Sequence, residues 1–180
     1  MRSASQSSLL EGSPLEQKTD TDSPRQRQKS ALICLLIFFV VFTIHAFSPV
    51  VTLSDSAWSV ALASSILHEL NTNLDEFNAD ERVGDWRVEH LPGGDYSYLP
   101  IGSPLLAVPF VWFAERISHW WFGIDDLANY LKAHPLGPIP GVIEQKFASV
   151  LVALTTLFLY LFARAQVGTK RAILIALIFA

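Results

Sequence analysis

The chain has 180 residues, of which 51% are hydrophobic and 17% are charged, and its formal net charge is −4. Charged residues make up about 25% of a typical soluble protein, so this composition favours a membrane protein. No basic face is interleaved with aromatic residues, which argues against nucleic-acid binding. The single cysteine, Cys34, excludes an intrachain disulfide and a zinc site built from several cysteines.

The N-terminal third of the chain changes abruptly from polar to apolar. Residues 1–30 hold almost no large apolar side chains, so they cannot bury enough surface to order the chain, and we predict a disordered tail. Residues 31–51 predict a membrane-spanning helix, because a helix of this length rises about 30 Å. Arg25, Arg27 and Lys29 precede it and place the N-terminus in the cytoplasm. The alternative, a cleaved signal peptide, fits poorly behind such a long tail.

Two further apolar segments lie near the end of the chain. Residues 147–163 predict a second span, and residues 172–180 predict the start of a third helix that is too short to cross by itself. Residues 164–171 carry three basic groups and no acid, so we expect them in the cytoplasm. Residues 52–146 then form an acidic extracytoplasmic loop. The predicted fold is an all-α, multi-pass membrane protein, of which this chain is the N-terminal fragment.

Two helices of the loop are predicted to lie on the membrane surface. Residues 54–70 have apolar side chains at four-residue spacing, which is typical of an amphipathic helix. Residues 101–122 contain two prolines, an adjacent acid and base, and three tryptophans, which suit the interface better than the hydrocarbon. Residues 71–100 are polar and rich in turn-forming residues. A short helix is expected over 125–134, because Pro135 ends it.

Asp55 follows the first predicted span and allows two interpretations. In the first, Asp55 or Ser54 caps the N-terminus of the helix over 54–70. In the second, Asp55 is a catalytic carboxylate at the membrane surface. Residue types alone leave both interpretations open, although Ser54 would serve equally well as a cap. The other acids of the loop read as a solvated surface, and no metal-binding histidine spacing or phosphate-binding loop is present.

Several motifs follow the first span in a fixed order: DSAWSVALASSIL, YSYLPIGSPLLAVPF, WFGIDDLANYL and EQKFASVLVALTTLFLYLFARAQVGTKR. This order resembles the N-terminal region of the GT-C membrane glycosyltransferases, above all the bacterial branch related to protein mannosyltransferases and aminoarabinose transferases. The resemblance covers residues 31–180. Its motif positions are filled here by Tyr98-Leu99-Pro100, Phe122-Gly123 and the segment from Tyr160 to Gly168.

The resemblance implies a catalytic role for Asp55, as the base that deprotonates an acceptor hydroxyl. The donor would be a sugar on a polyprenyl phosphate in the membrane of the cell envelope, and transfer would invert the anomeric centre. Tyr96, Tyr98 and Pro100 would help to bind substrate. Some relatives use a divalent metal ion, for which the sequence identifies no ligands. Two departures are Ser56, where the family often has Glu, and the absence of a phosphate-binding Lys before Pro100.

A non-enzymatic multi-pass protein is the alternative, either a transporter fragment or a membrane-anchored binding module. Transporters usually carry ionisable groups or broken helices at the bilayer midplane, and neither predicted span does. A binding module would need a core of its own, for which residues 71–100 look too polar. Both points favour the transferase.

Overall fold

The computed structural model describes residues 24–49 and 56–180. This part of the chain is mostly helical, which confirms the predicted class in its main feature, but a short β-hairpin departs from an all-α fold. The helices are α1 (Pro24–Ala46), α2 (Ser59–His68), α3 (Ala79–Arg82), α4 (Gly102–Phe122), α5 (Leu127–Ala133), α6 (Pro138–Val167) and α7 (Thr169–Phe179), and the strands are β1 (Val88–Leu91) and β2 (Gly94–Ser97).

Helix α1 begins inside the predicted tail and ends before the predicted end of the first span. Residues 24–30 are helical, so the prediction of a fully disordered tail is wrong for them. Proline suits a first helical position, and Gln, Arg and Lys continue a helix well. The helix ends at Ala46, shortly before Ser48, whose position ahead of a proline disfavours the helical conformation. Residues 1–23 lie outside the described part.

Helix α6 is longer than the predicted second span. It begins at Pro138 rather than near residue 147, because a proline in the first turn loses no helical hydrogen bond. Its 30 residues correspond to about 45 Å, well above the roughly 30 Å of a hydrocarbon layer. In the described part, two helices are long and apolar enough to cross a membrane, and they cover Gln28–Ala46 and Pro138–Val167.

Helices α1, α6 and α7 pack together through small and aliphatic side chains. Ile37 and Val41 of α1 share a buried cluster with Ala153 and Tyr160 of α6, and α7 adds two alanines. The opposite faces expose large apolar side chains such as those of Leu36, Phe39, Phe158 and Phe162. These three helices therefore pack as one unit whose outward surface is apolar.

Helix α2 lies inside the protein and not on its surface. Every residue from Trp58 to Ser65 is buried, including the polar residues Ser59, Ser64 and Ser65, whereas an amphipathic surface helix would expose its polar side chains. That prediction is wrong because α4, α5 and α6 cover the helix, and small Ser and Ala side chains permit such close approach. The predicted cap is also misplaced: the helix starts at Ser59 with Trp58 at the N-cap position and no side-chain cap.

Helix α4 has two different faces. One buries Pro104, Ala107, Val111, Ala114 and Ser118 against the core, at a spacing of three or four residues. The other leaves large apolar side chains exposed, namely Leu105, Leu106, Trp112, Phe113, Trp120 and Trp121. The helix is not among the candidate spans of the described residues. Its predicted place at the membrane interface stays a prediction.

The hairpin β1–β2 lies within the segment that was expected to be only turns. Val88 pairs with Ser97 and Leu91 with Gly94, so Pro92 and Gly93 form the turn between two antiparallel strands. The hairpin is held by residues before it: Asp75 Oδ1 accepts from the backbone N–H of Asp95 at 2.8 Å. Long-range contacts of this kind are what a local reading of the sequence misses.

Arg82 ties the hairpin to the preceding loop. Its buried guanidinium donates from Nη1 to the carbonyls of Leu74 and Phe77, both at 2.5 Å, and its Nε lies 3.0 Å from Asp95 Oδ2. Leu74 and Phe77 are themselves buried in the core around α2. The short helix α5 follows α4 as expected, but Asp126 caps it, accepting from the backbone N–H of Asn129, and not Asp125.

Candidate functional site

A cavity of about 650 Å³ opens where α1 ends and α6 begins. Apolar and polar side chains share its wall. The polar groups come from four separate parts of the chain: His45, Ser48, Ser56, Arg87, Glu144 and Gln145. A space of this size is typical of small-molecule sites, which measure roughly 300–1,000 Å³. We therefore take this cavity as the candidate site.

The N-terminal turns of α6 are fastened to the end of α1. Gln145 Nε2 donates to the carbonyl of Ser48 at 2.7 Å, and Lys146 Nζ donates to the carbonyl of Ala46. The last carbonyls of a helix have no partner within it, and a cation suits the negative end of the helix dipole. The ammonium also lies 4.9 Å from the centre of the Phe47 ring. One wall of the cavity is therefore built by two helices that hold each other.

Glu144 brings a carboxyl group into the cavity from the second turn of α6. It is half-buried, and its Oε1 accepts a hydrogen bond from Ser56 Oγ. Burial raises the pKa of Glu144, although the hydrogen bond from Ser56 and the charge of Arg87 act in the opposite direction. The Ser56 contact joins residues 88 positions apart and links the start of the α2 region to α6.

Arg87 brings a guanidinium into the same cavity and is held by Asp85. Its Nε and Nη2 donate to the two oxygens of that carboxylate, each at 2.8 Å. Asp85 also accepts from the indole Nε1 of Trp58 at 2.7 Å, and its side chain is only 7% exposed. Such a fork-shaped pairing fixes the plane of a guanidinium. Arg87 is therefore oriented by a network that reaches into the core.

The pKa of Asp85 lies below its usual value. Burial alone would raise this pKa, but hydrogen bonds from the side chain and backbone of Arg87, from Trp58, and the charge of Arg87 together outweigh burial. The carboxylate form of Asp85 is thus part of the folded structure. It neutralises a cation that the protein would otherwise have to hold partly buried.

The predicted site residues are not gathered in this cavity. Asp55 lies outside the described residues, although Ser56, which follows it, lines the cavity. Tyr98 is exposed, and its backbone N–H donates to the carbonyl of Arg87 at 2.7 Å. Tyr96 donates its hydroxyl to the carbonyl of Gly93 within the hairpin, and Pro100 is exposed ahead of α4. None of these last three lines the cavity, and their role in substrate binding stays a prediction.

Glu144 and Arg87 are the candidate functional residues that the sequence analysis did not identify. Glu144 looks like an ordinary charge at the end of an apolar helix, and Arg87 lies in a polar, turn-rich stretch. A local signal does exist for Arg87, since Asp85 stands two residues before it, next to Trp86. No comparable signal marks Glu144, because its partner Ser56 is distant in sequence.

The described part of the chain contains no set of ligands for a metal ion. No group of three His, Cys, Asp or Glu side chains lies close enough there to hold one. Asp55 lies outside the described residues, so this does not apply to it.

Comparison of the chain with protein-family models, with curated proteins and with solved structures finds no match. The proposals below therefore rest on the cavity, on the two long apolar helices and on the resemblance of motif order described above.

Proposed function

We propose that this chain is part of an integral membrane glycosyltransferase that moves a sugar from a polyprenyl-phosphate donor to an acceptor hydroxyl at the extracytoplasmic face. One observation carries the proposal. The cavity lies at one end of two helices long enough to cross a bilayer, and its wall places Ser56, the neighbour of Asp55, beside Glu144 and Arg87. A lipid-linked sugar needs such a combination of an apolar route and a polar pocket.

Topology follows from the same helices. The N-terminus and residues 164–171 lie in the cytoplasm, and residues 52–146 lie outside together with the first turns of α6. The positive charges before α1 and after α6 support this orientation. The exposed aromatic face of α4 supports a place at the membrane interface, where tryptophan rings are enriched.

Arg87 supplies the positive charge for the phosphate of the donor. A guanidinium held in one plane by Asp85 is preorganised for a phosphate, because less side-chain freedom is lost on binding. This assignment addresses one departure from the family resembled, the missing lysine before Pro100. Binding of the phosphate at Arg87 would also orient the donor in the cavity, so that its lipid chain extends toward the apolar helices.

Asp55 acts as the base in the transfer step. The acceptor oxygen forms a bond to the anomeric carbon while the bond from that carbon to the phosphate oxygen breaks. The proton of the acceptor hydroxyl goes to the Asp55 carboxylate, and polyprenyl phosphate leaves with the bonding electrons. Attack from the side opposite the phosphate inverts the anomeric centre. A positioned base of this kind contributes about 10²–10⁴-fold to a rate.

A membrane-anchored binding module is the second candidate, and one observation favours it. Leu74, Phe77 and Val88 are buried in a core shared with α2 and α4. The sequence suggested that the segment 71–100 is too polar to pack, but these three residues show that it contributes to a core. Such a core would support ligand binding without chemistry. The two candidates differ in whether a sugar is transferred.

The test is a transfer assay on the protein in membranes, with undecaprenyl-phosphate-linked radiolabelled mannose or arabinose as donor. Asp55→Asn should lower transfer by about 10²–10⁴-fold, because an amide has no basic carboxylate. Asp125→Asn is the control, since that side chain is 88% exposed and lies outside the cavity. Transfer by Asp55→Asn at close to the wild-type rate would refute the catalytic assignment. Binding of donor without any transfer by the wild type would favour the binding module.

A further inference from the structure

Glu144 is an ionisable side chain of the cavity to which the proposed transfer step gives no role. It projects from the second turn of α6, is half-buried, and faces the same space as Arg87. A partly buried carboxylate costs free energy unless it is paired and hydrogen-bonded. The Ser56 hydroxyl donates a hydrogen bond to Oε1, and the positive charge of Arg87 acts on the same carboxyl group.

Oε2 is the oxygen of this carboxyl group that the Ser56 hydrogen bond does not use. Ser56 comes from a part of the chain distant from α6, and its hydrogen bond to Oε1 restricts the rotation of the carboxyl group. An ionised carboxylate accepts hydrogen bonds and does not donate them. A phosphate would be repelled by it, whereas neutral hydroxyl groups would donate to it. The chemistry of this position therefore favours the sugar over the phosphate of a lipid-linked donor.

We propose that Glu144 binds the hydroxyl groups of the transferred sugar through Oε2 while Ser56 holds Oε1, so that Glu144 selects the sugar and Arg87 receives the phosphate. This inference rests on the proposed function. It assigns the phosphate to Arg87 and the sugar to Glu144, two groups of opposite charge that line the same cavity. Both side chains have a fixed partner, namely Asp85 for Arg87 and Ser56 for Glu144.

The experiment compares two lipids that differ only in the sugar. Binding of undecaprenyl phosphate and of undecaprenyl-phosphate mannose is measured on the purified protein in nanodiscs, and undecaprenyl-phosphate arabinose provides a second sugar. Glu144→Gln should weaken binding of the sugar-bearing lipids by about 10- to 100-fold, as expected for loss of a hydrogen bond to a charged acceptor. Its affinity for undecaprenyl phosphate should stay unchanged. Glu89→Gln, an exposed residue of β1 outside the cavity, is the matched control.

A second variant keeps the inference testable if Glu144→Gln does not fold. Ser56→Ala leaves the carboxylate in place but releases its orientation, and should weaken binding of the sugar-bearing lipids by a smaller factor, about 3- to 10-fold. Arg87→Met should weaken binding of all the lipids alike. These patterns separate contact with the sugar from contact with the phosphate.

Three results would overturn the inference. Equal weakening of all lipids by Glu144→Gln would place Glu144 at the phosphate or in the structure. Unchanged binding by Glu144→Gln would remove it from the ligand altogether. Equal affinity of the wild type for lipids with and without sugar would show that the protein binds the lipid phosphate but does not recognise the sugar. Failure of the wild type to bind any of these lipids would instead refute the proposed function itself.

Discussion

Replacing Asp85 with alanine tests whether the network around Arg87 is a structural support of the cavity. The substitution removes one carboxylate that accepts from Trp58, from the backbone N–H of Arg87, and twice from the Arg87 guanidinium. Trp58 is 1% exposed, so its indole N–H would have no access to bulk water afterwards. The Arg87 side chain is 14% exposed and would lose the carboxylate that accepts two hydrogen bonds from its guanidinium.

The expected cost follows from these two losses. A buried donor left without a partner costs about 1–3 kcal/mol. Removing one member of a buried ion pair costs about 3–5 kcal/mol, because the other charge is left uncompensated. The two terms share the same carboxylate and some rehydration will follow, so they do not add in full. We expect Asp85→Ala to lower the free energy of unfolding by about 3–5 kcal/mol.

Unfolding of the protein in detergent micelles, followed by circular dichroism at 222 nm across an SDS titration, measures this loss. The control is Asp125→Ala, because Asp125 also has a side-chain partner, His119 Nδ1 at 2.6 Å, but both side chains are exposed. Exposed pairs contribute about 0–1 kcal/mol. A loss below about 1 kcal/mol for Asp85→Ala would refute the reasoning. The double variant Asp85→Ala/Arg87→Ala should lose less than the sum of the single losses.

The same carboxylate makes stability depend on pH. The pKa of Asp85 is lower in the folded protein than in the unfolded chain, so its contribution is fully present above the unfolded value of about 3.9. It is lost as the pH falls through the lower, folded value. The difference in free energy of unfolding between the wild type and Asp85→Asn should therefore become smaller as the pH is lowered below about 4. A gap that stays constant or widens on acidification would contradict the assignment.

Two further predictions concern the hairpin and the topology. Gly94→Ala should destabilise the protein by about 1–3 kcal/mol, since the backbone there has φ +134° and a Cβ would lie 2.6 Å from Asp75 Oδ2. Gly102→Ala, where a Cβ meets open space, should be near neutral, and equal effects of both in thermal unfolding would be evidence against the strain. In a cysteine-free background, a cysteine at Asp125 should react with a membrane-impermeant thiol reagent in intact cells, and one at Gln166 should not. The reverse labelling pattern would invert the proposed orientation.

The long apolar helices were predictable because their signal is continuous along the chain. A run of apolar residues identifies α1 and α6 without knowledge of any partner. Their ends were less predictable, since Pro138 looks like a helix breaker until it is placed in a first turn. The end of α1 was equally hard to predict, because it depends on Ser48, the residue that precedes a proline. A proline can begin a helix or end one, and its effect depends on its position relative to the start of the helix.

Helix α2 and the hairpin were misjudged for a different reason. The serines of α2 are buried because other helices cover them, and no periodicity within one helix contains that information. The strands of the hairpin have four residues each, and the second strand is held by Asp75, which accepts from the backbone N–H of Asp95 twenty positions later. Contacts between distant parts of the chain decided both structures.

The sequence analysis did not predict the cavity. It named Asp55, which lies outside the described residues, and it named Tyr96, Tyr98 and Pro100, which do not line the cavity. Arg87 and Glu144 were missed because each is unremarkable among its own neighbours. They meet in space through the fold, 57 positions apart in sequence.

The length of α6 has a mechanical consequence for a protein in a bilayer. A rod of about 45 Å could be hidden in a hydrocarbon layer of about 30 Å only at a tilt near 50°, beyond the 0–40° that membrane helices show. One end of the rod therefore stands clear of the lipid, and in the proposed orientation it is the end with Glu144. Bilayer thickness then sets the height of the cavity above the acyl chains. Thinner membranes should therefore leave the cavity further above the acyl chains.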